Sequence, residues 1–109
     1  MSINIDDLVQ SMLSAAKDVF DADWPEIKEH AETELKGIAE GIALIERLRL
    51  QGKITQKQSK LLIKMKKNTA QIVLLTLKGI GIVTVEKAIN AALKVVKDTV
   101  NTTLDFSLL

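Results

Sequence analysis

The sequence predicts an all-α fold: a helical bundle built on a long antiparallel helical hairpin, about 24–50 and 56–101, with a short N-terminal helix at about 5–20. Three observations carry that expectation. Apolar residues recur at three- and four-residue steps through most of the chain. Helix-start signals stand in front of these runs, and a glycine follows one of them. The apolar content is 47%, yet aromatic residues are 3%, limited to Phe20, Trp24 and Phe106. The core is therefore aliphatic, which suits helices packed on helices. At 109 residues the chain reads as one domain over 1–109.

The first helix is set by Ile5, Leu8, Val9, Met12, Ala16, Val19 and Phe20, with Asp7, Gln10, Ser14 and Lys17 between them. Asn4 or Ser2 is placed to cap it, and Asp6 and Asp7 suit the positive end of the helix dipole. The second helix starts with Asp23 as N-cap, Pro25 in the first turn and Glu26 three residues after the cap. Its stripe is Ile27, Ala31, Leu35, Ile38, Ile42, Ile45 and Leu48, and beside it Gly37 and Gly41 leave room for another element to approach. Gly52 is placed to end this helix in the left-handed conformation. Thr55 and Gln58 then form a capping box that opens the third helix, so the connection is short and its flanking helices are antiparallel neighbours.

The third helix carries Leu61, Leu62, Met65, Ile72, Val73, Leu75, Leu77, Ile80, Val83, Val85, Ile89, Ala92, Leu93, Val96 and Val100. Unbroken to Asn101 it would span roughly 70 Å, against about 40 Å for its partner. Gly79-Ile80-Gly81 decides the architecture. Two glycines cost ~1 kcal/mol each inside a helix, and the tripeptide has no polar turn residue or proline. A continuous or kinked helix is therefore expected over a true break, after which Thr84 would cap a fresh helix. Register about the hairpin turn sets Trp24 near Gly79 and Gly81, an indole facing two absent side chains. With the long helix, Ile82, Val85, Ile89, Ala92, Leu93, Val96 and Val100 become the expected interface of a homo-oligomer, a dimer first. The tail Leu104, Phe106, Leu108 and Leu109 is expected to dock on the bundle or on a partner.

The net charge of +1 conceals a division. Residues 1–46 hold eleven acids against three lysines, a net −8, and residues 47–97 hold twelve bases against Glu86, a net +11. Arg47, Arg49, Lys53, Lys57, Lys60, Lys64, Lys66 and Lys67 gather at the hairpin tip, with no acid between residues 47 and 67. This patch is the candidate site. It reads first as solvated charge or as the complement of the acidic region Asp18–Glu34 of a second copy, then as a surface for an anionic macromolecule or lipid, and then for an acidic protein. Nucleic acid is disfavoured, because the patch is mostly lysine and has no aromatic residue for base stacking.

Catalysis finds no support. There is no cysteine, and the one histidine, His30, stands among Glu26, Glu29 and Glu34 on a polar helix side. A di-metal bundle site needs a Glu-x-x-His motif on each of two helices. No nucleophile elbow or phosphate-binding loop occurs, so no cofactor, metal or small-molecule substrate is expected. Thr69–Val85 is apolar apart from Gln71 and Lys78, but it is short for a membrane span, and a central lysine costs ~2.5–3.5 kcal/mol on insertion. The functional expectation is a non-enzymatic structural or interaction module acting as an oligomer. The alternatives are a membrane-surface or membrane-inserting protein using 47–67 and 69–85, then nucleic-acid binding. With no secretory signal at the start, the default expectation is the cytoplasm.

Overall fold

Three of the four helices begin after an extended residue, Asn4, Thr55 or Gly81, and the second follows directly on a helical turn. The computed structural model describes residues 3–77 and 79–109. It contains α1 (Ile5–Phe20), α2 (Trp24–Leu50), α3 (Gln56–Leu75) and α4 (Ile82–Leu104), with a single 3-10 turn at Asp21–Asp23 between α1 and α2. No strand is present among the described residues. The Asn4 side chain caps α1 by accepting from the Asp7 N–H at 3.0 Å; Ser2, the other candidate cap, lies outside the described residues. The capping box of α3 is complete: Gln58 N–H donates to Thr55 Oγ1 at 3.0 Å, and Thr55 N–H donates to Gln58 Oε1 at 2.9 Å. Gly52 takes φ +67 after α2. Asp23, by contrast, makes no side-chain cap, since the preceding turn already holds it in helical geometry.

Short connections run the four helices up, down, up and down in a bundle 43 × 21 × 18 Å along its principal axes. α1 lies against α2 and α4, and α3 against α2 and α4. The core is a continuous aliphatic cluster. It takes Leu8, Val9, Met12, Ala16 and Phe20 from α1 and Ile27, Leu35, Ile38, Ile42 and Ile45 from α2. From α4 come Val85, Ile89, Ala92, Val96 and Val100.

The long third helix does not form. α3 ends at Leu75, Gly79 takes φ +88, and Gly81, extended at φ −87 and ψ 158, stands as the N-cap position of α4. Thr84 therefore lies within α4. Glycine adopts the left-handed conformation at little cost, so the reversal needs no polar turn residue. The reversal is stabilised by what it brings together. α1 has an apolar stripe needing cover, and folding α4 back supplies it within one chain. The expected oligomer interface is corrected by the same fact: Val85, Ile89, Ala92, Leu93, Val96 and Val100 are buried in the chain's own core, and only Ile82 is exposed. The Trp24 register also fails. A Cβ placed on Gly79 or Gly81 meets nothing within 4 Å, and Trp24 instead stacks on Phe20, with ring centroids 6.3 Å apart.

The buried face of α3 differs from the sequence reading as well. Ser59, Ile63, Ala70 and Leu74 are buried, whereas Leu61, Met65 and Ile72 are 53%, 65% and 65% exposed. The glycine pair of α2 works at one position: a Cβ on Gly41 would stand 3.4 Å from Lys66 Cγ and 3.8 Å from Ile63 Cδ1, while Gly37 has open space. The tail docks on the bundle. Asn101 Oδ1 accepts the N–H groups of Leu108 and Leu109 at 2.9 and 3.0 Å, and Leu104 and Leu108 are buried. Burial of Val100 and Leu104 carries α4 through Thr99–Thr103 despite their weak helix propensity.

Candidate functional site

α3 is a helix of twenty residues with five lysines and no acid. At about 100° per residue, Lys60, Lys64 and Lys67 fall on the side of α3 that turns toward α4. The neighbouring side of α4 presents Asn90, Lys94 and Lys97. Between them lies a cleft of about 780 Å³. Ile63 and Leu93 line its apolar part, Leu108 and Leu109 also line it, and Lys60, Lys64, Lys67, Lys94 and Lys97 surround it with Asp98. Its size is within the range of ordinary ligand pockets, but its rim carries five lysine side chains against one side-chain carboxylate. Such a rim concentrates anions, and the flexible lysine stems can lie on apolar surface while the ammonium groups reach outward.

The predicted tip residues are only partly brought together. Lys57 joins Lys60 and Lys64 around a shallower hollow with Gln56 and Leu61. Arg49 is turned to the tail, its guanidinium carbon 4.3 Å from the centre of the Phe106 ring, a cation–π contact. Lys66 lies over Gly41 on the α2 side. Arg47 and Lys53 are exposed at the end of α2 and in the connection. Lys94 and Lys97 were missed. Their signal is conditional: folding the chain back about Gly79 sets Lys64 opposite Lys94 and Lys60 opposite Lys97, which a continuous helix would have kept far apart.

His30, Glu26 and Glu29 are exposed on α2, and among the described residues no group of three or more potential ligands could hold a metal ion. Thr69–Val85 is divided between the end of α3, the turn and the start of α4, with Ala70, Leu74 and Val85 buried. Lys78 lies outside the described residues. Among the described residues no helix is long and apolar enough to cross a membrane. No protein-family model matches the chain, and no curated protein or solved structure matches it either.

Proposed function

We propose that this chain is a non-enzymatic binding module whose working surface is the lysine-lined α3–α4 face, and that its partner is anionic. The observation that supports this most directly is the cleft itself, in which lysines from two helices converge around apolar side chains instead of a charge-balanced seam. A seam serving stability alone would alternate signs or close on aliphatic residues, since like charges across it oppose packing.

Retention on a sulfated-polysaccharide resin tests this reading. The wild type should be held and released by salt, and Lys64→Glu with Lys94→Glu should elute markedly earlier. Lys28→Glu with Lys36→Glu, which changes net charge equally on the exposed side of α2, is the control and should elute close to wild type. Equal effects from the two double variants would mean that net charge, not the cleft, governs binding.

Self-association has separate support. Asp18, Asp21, Asp23, Glu26 and Glu29 are exposed around the α1–α2 junction, at the opposite end of the bundle from the tip. In a two-fold dimer the basic face of each copy can meet the acidic end of the other. Light scattering behind a sizing column should then give a dimer mass at low salt that falls to the monomer mass as salt rises.

A further inference from the structure

The outer side of α3 is apolar as well as being flanked by lysines. Leu61, Met65 and Ile72 lie within about 40° of one another around the helix and extend over roughly 16 Å along it. They are 53%, 65% and 65% exposed, and Asn68 interrupts the line. Lys57 and Lys64 border it on the side that leads to the cleft, so the stripe and the lysine rows form one continuous face. We infer that this face lies on the surface of an anionic lipid bilayer, with Leu61, Met65 and Ile72 entering the headgroup boundary and the lysines of α3 and α4 around them meeting lipid phosphates and carboxylates. This rests on the proposal that the α3–α4 face binds an anion, and it names the anion.

One feature selects a bilayer over a second copy of the chain. The acidic end of a second copy would satisfy the lysines only: the large exposed apolar residues among those described are Leu50, Leu61, Met65, Ile72, Ile82, Val83 and Val95, and none belongs to the acidic stretch Asp18–Glu34. An anionic bilayer satisfies both halves of the face at once. Its contact is that of an interfacial helix, which needs no spanning segment.

The experiment is co-sedimentation of the full chain with two kinds of vesicle, pure phosphatidylcholine and equimolar phosphatidylcholine–phosphatidylserine, at low and high salt. Binding is expected to the mixed vesicles alone and to weaken as salt rises. Lys64→Gln with Lys94→Gln should lower vesicle affinity about 30-fold, at roughly fivefold per lysine. Met65→Ser with Ile72→Ser should lower it about tenfold while leaving resin retention unchanged, and circular dichroism confirms that each variant is folded. No binding to mixed vesicles, or full binding by the folded Met65→Ser/Ile72→Ser variant, overturns the inference. If resin retention still depends on Lys64 and Lys94, the basic cleft stands and its anionic partner is not a lipid surface. If retention does not depend on them, the parent reading falls too. Salt-dependent gel retardation of duplex DNA without vesicle binding also overturns the lipid assignment.

Discussion

α4 meets its two neighbours in opposite ways. Toward α1 it presents an aliphatic surface, and Ala16, Ala88 and Ala92, all at most 1% exposed, let the backbones approach while Met12, Ile89 and Val100 fill the space between them. Toward α3 it presents Lys94 and Lys97, opposite three more lysines, and the two helices leave a cleft. The first seam gains from removing apolar area from water, about 25 cal/mol per Å². The second combines a small apolar contact through Ile63 and Leu93 with like-charge repulsion. One helix thus carries both the seam that fixes the fold and the seam that the proposed binding would use.

The largest test of that contrast places the same charge in the aliphatic core and on the exposed side of α3. Ile89→Asp puts a carboxylate in a fully buried aliphatic site, where an unpaired charge costs several kcal/mol. Against a stability of ~5–15 kcal/mol, it should abolish or nearly abolish the cooperative thermal transition seen by circular dichroism. Met65→Asp, on the exposed side of α3, should shift stability by no more than about 0.5 kcal/mol. A folded Ile89→Asp variant with an unchanged melting temperature would remove α4 from the core.

The reversal that creates both seams depends on one glycine conformation. Gly79→Ala meets no steric neighbour, so its effect is the backbone cost of a left-handed non-glycine residue, about 1–2 kcal/mol. Gly81→Ala, at φ −87, should cost much less. Denaturant melts of the two variants separate a turn that needs φ > 0 from one that needs only space: equal losses would show that packing, not dihedral freedom, makes these positions glycine.

Local signals were the legible ones. α1 and α2 span the residues their stripes give, Asn4 caps α1, Thr55–Gln58 forms its capping box, and Gly52 takes the left-handed turn, because each feature depends on residues a few positions apart; only the expected Asp23 cap does not form. The break at Gly79 was not legible, because its decisive term is non-local: α1 needs a partner for Met12 and Phe20, and α4 supplies it only by folding back. The lysine cleft inherited that difficulty, since Lys94 joins Lys64 only after the reversal. The buried face of α3 was not legible for a different reason. Its apolar residues occur almost all around the helix, and periodicity cannot then choose Ile63, Ala70 and Leu74 over Leu61, Met65 and Ile72.

α3 is the more weakly held side of the comparison, and its cap is the place to sharpen it. Thr55→Ala removes the side-chain acceptor for the Gln58 N–H and should cost ~1 kcal/mol. Amide exchange in α3 should rise more than in α4, because α3 buries fewer residues and opens more readily. Equal acceleration in both helices would mean that the bundle opens as one unit.

The smallest expected effect is the one that ties stability to binding. Lys64→Glu places a carboxylate among Lys60, Lys67 and Lys94 and turns repulsion across the seam into attraction. These side chains are exposed or half-buried, so the gain is a few tenths of a kcal/mol, as for other surface pairs, and it should shrink as salt screens it. The same substitution should weaken resin retention and vesicle binding. A variant that is slightly more stable at low salt and binds less well would mean that the like-charged seam is kept for a ligand at a small cost in stability. If Lys64→Glu is less stable, Lys64 contributes more to holding α3 in place than its charge subtracts, and the open seam is then a consequence of packing.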